Sequence, residues 1–458
     1  MTAKTRSVAD KVFGKERFKQ ARFVRLGNLA KLQRNGKLNL DLPGYFEGLT
    51  ATATHVRAES ETNYEWFGTC NEGRGYVHVL CRDGKITANI SPTGHKVFEV
   101  YYVDGDVHVV YSQEPDPTKA DCLEPRVFGP KRVSEGLPKL RTSACPNYGR
   151  VLVLYTPAAQ SAVPDISQTA QMAVSQFNAC VYNSNVTHEA AMFLAGVAPL
   201  NFQGSTNNDM LEDVRNILPN NSSAQSYRSS YNADIIVLLT DNPNYQASGA
   251  AANLHLDNSK AYAIVQVNDA VGYRRTFAHE VGHLYTLRHD NDFNNDGPGY
   301  RDYAHGYVFY PNGTKYVTIM SSGGAVDYPQ GRLLNFSNPN VQFNGVPMGT
   351  FSTNNCALRV GETYSTVNSH RSDPQTFQVG ISGPYSGYAY QQYTWNSTVS
   401  CTVGTYSYQW RTSYDGFNYS GVVIPIQFPD VVGATLAVAR GVVGRPPRAT
   451  ARVAPTTF

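Results

Sequence analysis

Between residues 38 and 115, apolar and polar side chains alternate in short runs separated by turn signals. Gly75-Tyr76-Val77-His78-Val79-Leu80, Lys85-Ile86-Thr87-Ala88-Asn89-Ile90 and Val97-Phe98-Glu99-Val100-Tyr101-Tyr102-Val103 read as strands, with Arg82-Asp83-Gly84 and Asp104-Gly105-Asp106 supplying the turns. This predicts a small antiparallel β domain over 38–115, following a basic N-terminal segment at 1–37. Residues 116–147, rich in Pro and charge, suit a linker with a processing site. From 148 to 374 the pattern changes. Apolar runs at 150–155, 233–239 and 261–267 read as buried strands and 190–197 as another. Gln168–Val181, Asp209–Leu218 and Tyr273–Tyr285 read as helices. Strands alternating with helices predict an α/β sheet with helix cover. Short Tyr-rich strands return over 375–430, where Cys401 followed by Trp410 on the next strand points to an immunoglobulin-like all-β segment. Residues 431–458 turn abruptly to Ala, Val, Arg, Pro and Gly, as in a disordered tail that leaves the last domain incomplete.

At 458 residues the chain has room for two or three domains. A net charge of +3 on a charged fraction of 16% gives no basic patch for nucleic acid or an anionic membrane. No apolar run approaches the ~20 residues of a membrane helix. Abundant Tyr, Asn, Ser, Gly and Thr beside few Lys and Glu suggest a secreted, β-rich protein, expected to be a monomer. Residues 1–37 lack the apolar core of a secretory signal, so export uses another route or a start upstream of Met1.

The last helical stretch carries the chemistry: His279-Glu280-Val281-Gly282-His283-Leu284-Tyr285-Thr286-Leu287-Arg288-His289-Asp290. Residues four apart on a helix lie one turn above each other. His279 and His283 therefore aim at one point, with Glu280 beside them. His289 joins them if the chain leaves the helix near Thr286 and folds back. Three imidazoles hold Zn2+ and leave its fourth position to water, as in a catalytic site. No Glu lies between Glu280 and Glu362 to act as a distant third ligand; Asp290 is the remaining alternative to His289. With zinc acidifying water, Glu280 is the candidate general base for hydrolysis of internal peptide bonds in protein or peptide substrates. Asp292, Asn294 and Asp296, with Gly297, are spaced like the start of a Ca2+ loop, without its terminal Glu.

These residues resemble the metzincin clan of zinc endopeptidases. Asp290 after the third His is similar to the reprolysin branch, and the nearest resemblance is to the bacterial peptidyl-Asp metallopeptidase group. It extends through Tyr303–Tyr307, Thr318–Ser322, Phe336–Val341 and Asn344–Thr350, and covers residues 148–372. The resemblance implies a mixed-sheet α/β (α+β) catalytic domain and a β-rich prodomain in front of it. It also implies Met320 as a Met-turn beneath the metal, and 261–267 as the sheet edge along which substrate lies. Preference for Asp beside the cut is implied too, although no pocket cation can be located in the sequence. One position departs from the pattern: the helix-breaking Gly is Thr286. A left-handed backbone there costs a β-branched residue about 1–2 kcal/mol. That departure, with the unusual termini, supports an alternative of another class, a catalytically impaired secreted adhesion or binding protein.

Of seven cysteines, Cys70 and Cys81 flank a short segment and suit a hairpin cross-link. Cys145, Cys180, Cys356 and Cys401 form an even set whose pairing is open. Cys122 is left over, ahead of the basic pair Lys131-Arg132. A thiolate is a good zinc ligand, and several metzincins are kept latent by a propeptide Cys on the metal. Cys122 is therefore a candidate cysteine switch in a latent precursor.

Overall fold

The alternating pattern of the first third of the chain closes into one antiparallel sheet. The computed structural model describes residues 2–371 except 27–31, 33–35, 43, 45–47, 72, 74, 93–96, 114–117, 124–147, 291–300, 323–330 and the side chain of Glu59; beyond 371 it describes the backbone of five strands. Helix α1 (Ala3–Val12) precedes β1 (Lys19–Arg25), β2 (Lys37–Leu40), β3 (Leu49–Ser60), β4 (Asn63–Cys70), β5 (Gly75–Arg82), β6 (Lys85–Ser91), β7 (Val97–Asp104) and β8 (Val107–Gln113). The sheet order is β1-β8-β7-β6-β5-β4-β3-β2, a meander with β1 added beyond β8. Trp66, Val77, Val79 and Ile90 bury one face. The expected Cys70–Cys81 cross-link is not formed, and both thiols are free. Register explains this: Cys70 faces Gly75 while Cys81 faces Tyr64, at opposite ends of one hairpin. At about 3.3 Å per residue the two lie roughly 20 Å apart.

The following α/β part builds a five-stranded sheet ordered β10-β9-β11-β13-β12. Its strands are β9 (Gly149–Tyr155), β10 (Met192–Pro199), β11 (Ile235–Thr240), β12 (Gly249–Ala251) and β13 (Tyr262–Gln266). All pairs are parallel except β12 with β13. The continuous apolar runs follow from burial on both faces. Val151, Val153, Ile235, Val237, Ala263 and Val265 point to one side, and Leu152, Leu154, Ile236, Leu238 and Ile264 to the other. The first side is covered by α2 (Pro157–Ala162), α3 (Ile166–Asn183) and the site helix. The second is covered by α4 (Met210–Glu212), which continues as a π turn over Asp213–Ile217, and by α5 (Ser222–Ser230). The helix expected over Asp209–Leu218 is thus a short α turn capped by Asp209 and then a π segment.

The edge strand is a correction. The sequence reading put the edge at 261–267, but β13 is interior and β12 lies outside it. Gly249-Ala250-Ala251 is too short and too small to show a strand pattern. The N-terminal sheet and the α/β part fall in one compact unit, Met1–Arg141 with Asn147–Ser372. The second unit contains an antiparallel sheet of Gln378–Ser382, Gln392–Ser400 and Val423–Gln427, and a hairpin of Gln409–Arg411 with Asn418–Ser420. Trp410 lies on that hairpin, while Cys401, the other half of the immunoglobulin-like reading, falls outside the described residues.

Candidate metal centre

Helix α6 runs from Thr276 to Leu284 and is buried along its whole length. It begins three residues later than periodicity suggests, because Arg275 adopts a left-handed conformation (φ +52°) and blocks continuation from Tyr273. Phe277, Val281 and Leu284 anchor it in the core, with the i, i+4, i+7 spacing of one helix face. Gly282 lets Met320 come close: a Cβ there would stand 2.3 Å from the Met320 sulfur.

The helix ends in a Schellman arrangement. Thr286 N–H donates to His283 O (2.8 Å) and Leu287 N–H to Gly282 O (3.3 Å). Thr286 takes the left-handed conformation the motif demands, with φ +68°. Its hydroxyl accepts a 2.6 Å hydrogen bond from Arg359 Nε, and Arg359 pairs with Glu362 at 3.1 Å. Arg359 lies on α7 (Cys356–Val367). The expected strain is therefore present, and a buried charge-assisted hydrogen bond offsets part of it. The returning chain pairs Arg288 with His305, and His305 Nδ1 donates to the carbonyl of His289 at 2.7 Å.

These turns bring the three imidazoles together. The Nε2 atoms lie 3.0 Å (His279–His289), 3.1 Å (His279–His283) and 3.1 Å (His283–His289) apart. Nδ1 of His279 donates to Ile319 O (2.7 Å) and Nδ1 of His283 to Leu287 O (2.8 Å). A carbonyl only accepts, so these rings carry their proton on Nδ1 and present bare lone pairs at Nε2. Burial first, then Arg332 for His279 and His289 for His283, holds both rings well below the usual imidazole range. Neutral lone pairs converging on one point fit a cation between them, with the backbone carbonyls fixing the tautomer. The donor set of imidazoles plus a nearby thiol suits zinc.

Glu280 lies beside the triangle, and burial pushes its carboxyl up to about 8 against the opposing Cys122 hydrogen bond and Arg332. Gly249 on β12 gives it space: a Cβ there would stand 2.6 Å from Glu280 Oε1. Met320 is fully buried, in the turn where Ser321 N–H donates to Thr318 O. Asp290 accepts from Ser322 N–H at 2.7 Å, which ties it to that turn, and it is not among the ligand atoms that converge with His279 and His283. Asp292, Asn294 and Asp296, proposed for calcium, lie outside the described residues, as does Cys145. Cys180 and Cys356 are buried free thiols.

The edge of β12 is occupied by the chain's own front segment. Ala120 N–H donates to Gln246 O (2.9 Å), Ser248 N–H to Ala120 O (2.9 Å) and Leu123 N–H to Gly249 O (3.0 Å). This parallel addition carries Cys122 Sγ to 3.5 Å from His283 Nε2 and 3.5 Å from Glu280 Oε2. The ligand atoms of Cys122, His279, His283 and His289 all lie within 4.8 Å of one another. Asp121 is buried between Arg274 (2.7 Å) and Arg332 (3.5 Å). Sequence reasoning missed these two arginines, and Arg359 and His305 in their supporting positions. Only His305, inside a resemblance motif, carried any signal.

Comparison with known proteins adds a family and its relatives. Residues 147–337 match the reprolysin-type family model described as "Metallo-peptidase family M12". Two strains of Stenotrophomonas maltophilia have a "Peptidyl-Asp metalloendopeptidase" 35% identical to this chain, over 236 and 234 residues, in each case 50% of this chain and 54% of the relative. A protein of the same name from Xanthomonas campestris pv. campestris is 34% identical over 217 residues, 46% of this chain and 49% of its own length. The chain thus spans about half the length of the curated relatives it matches. A solved structure titled "Structure of a chaperone-substrate complex" covers 49% of this chain and 35% of its own at a TM-score of 0.38 and 16% identity, a likeness too slight to bear on the fold.

Proposed function

We propose that this chain, which belongs to the metallopeptidases through the family M12 match of residues 147–337, is a zinc-dependent endopeptidase, exported and made as a latent precursor. The observation that carries the reading is the triangle of His279, His283 and His289 nitrogens with the Glu280 carboxyl beside it. Zinc held by His279, His283 and His289 would acidify a water and polarise the scissile carbonyl. Glu280 accepts the proton of the attacking water and hands it to the leaving amine. Met320 forms the floor beneath the rings and touches no substrate. The peptide substrate adds along β12, whose outer edge already accepts an extended segment. Three rings that converge despite Thr286 favour a working site over the impaired-binding alternative.

Latency rests on Cys122, whose sulfur would fill the fourth ligand position while residues 119–123 cover the edge. Secretion rests on the composition of the chain. Among the described residues no helix is long and apolar enough to cross a membrane. Preference for Asp beside the cut rests on the names of the relatives.

Glu280→Ala should keep one zinc per chain by metal analysis and lower casein cleavage at least about 100-fold. Full proteolysis by that variant with zinc bound would remove Glu280 as the base. Cys122→Ser should raise the activity of the uncut precursor; an equally silent precursor would dismiss the thiol lock.

A further inference from the structure

We propose that Arg274 and Arg332 form the acid-binding subsite of the peptidase, and that Asp121 is its built-in occupant, a stand-in for the acidic side chain of a substrate. The inference rests on the peptidase reading above and deepens it. Three observations converge. The front segment lies on the β12 edge where a substrate would add, so its side chains occupy substrate positions. Cys122 reaches the imidazoles and Glu280, and its neighbour Asp121 inserts between the two guanidiniums. Arg274 and Arg332 are buried, with side chains only 2% and 1% exposed.

The pair is held ready by backbone rather than by its occupant alone. Arg332 Nε donates to Ser321 O (3.0 Å) and its Nη1 to Arg274 O (2.7 Å). Ser321 follows Met320, and Ile319 of the same turn accepts from His279, so the subsite and the metal ligands share one support. Arg274 also meets Asp269 at 3.5 Å and donates to Lys119 O at 3.0 Å. With Asp121 in place, its carboxylate meets both guanidiniums. Once the segment leaves, both lose that carboxylate. A substrate carboxylate replaces it, whereas a neutral side chain brings no charge to the buried guanidiniums in its stead, which is unfavourable. Sites built around a buried polar partner discriminate far more sharply than apolar pockets.

The test uses the full chain with Cys122→Ala, cut within 124–147 by limited proteolysis, and paired peptides differing only by Asp or Asn. The expected result is a kcat/KM ratio of at least 100 in favour of Asp. Arg332→Gln and Arg274→Gln should each lower the Asp-over-Asn ratio at least 30-fold and keep one zinc per chain. Arg332→Lys, which keeps the charge, should recover part of the preference and guards against a folding failure. Cleavage without acid preference, or equal loss on both peptides with zinc retained, overturns the inference but leaves the peptidase reading standing. No cleavage of any peptide by the zinc-loaded chain sinks that reading instead. The subsite then still answers to a thermal assay of the uncut, zinc-free Asp121→Ala chain. Millimolar acetate should raise its Tm by several degrees, acetamide should not, and Arg332→Gln should abolish the gain. The absence of any acetate effect overturns the subsite.

Discussion

Helix α3 is buried over most of its surface, and its two packed sides meet different partners. Toward the five-stranded sheet and the site helix it presents Ala173, Phe177 and Val181, with Phe177 packed on Tyr285 and Phe336. Toward the N-terminal sheet it presents Gln168 and Ser175, whose contacts are hydrogen bonds. Gln168 exchanges two with the backbone of Tyr102 and accepts one from Thr87, and Ser175 meets Glu65 and His78. Phe67 and Leu80 add apolar contact there, but polar groups set the character of that side. An apolar face cannot be bared without a large loss, whereas Gln and Ser accept water in place of their partners. Interfaces between parts that separate are characteristically the more polar ones. The inner side is held by apolar packing and the outer side chiefly by hydrogen bonds.

Breaking the inner side should have the largest effect. Phe177→Ala should cost about 3–5 kcal/mol in urea unfolding of the full chain; a loss below 1 kcal/mol would mean that α3 is not pinned as described. The outer side should show itself through pH. Glu99, on β7 against the loop at Gly272, accepts from Tyr101 and Tyr111, and burial pushes it up to about 7. Asp269 adds to that rise, and the two tyrosine hydrogen bonds oppose it. Because the folded state favours the protonated form, the contribution is full below the unfolded value near 4.5 and fades as pH rises through about 7. The full chain should lose up to about 3 kcal/mol across that window, and Glu99→Gln should flatten the curve. An unchanged slope in that variant would place the sensitivity elsewhere. Gln168→Ala should cost about 1–3 kcal/mol through the partners it strands, read as a lower urea midpoint of the precursor. Smallest of all, Thr286→Gly should change stability by less than about 1 kcal/mol. Relief of the left-handed strain is offset by the lost hydrogen bond from Arg359. A gain of 2 kcal/mol would show that Arg359 compensates nothing.

What could be read from the amino acids alone follows how local each signal is. The three histidines, Glu280 and the return at Thr286 lie within eleven residues, so helix geometry predicted the meeting of His279, His283 and Glu280, and a return near Thr286 was all that His289 needed to join them. The long apolar strands were legible because both faces are buried. The edge strand was not, since Gly249-Ala250-Ala251 carries no pattern, and the strand next to it took its place in the reading. The helix start was missed because the left-handed turn at Arg275 has no sequence signature. The Cys70–Cys81 bridge failed because proximity in a hairpin depends on register rather than on separation along the chain. The arginine pair was invisible: Asp121, Arg274 and Arg332 are separated by some 150 and 60 residues and meet only after two sheets have formed.

Gly249 carries one more consequence. The Glu280 carboxyl and strand β12 approach so closely at this position that a Cβ there would press on both Glu280 and Thr276. A related sequence could therefore keep every histidine and the glutamate and still be silent, if it bears alanine or anything larger at the place of Gly249. In sorting working members of such a family from lapsed ones, this small residue, which binds nothing, is as informative as the residues that do.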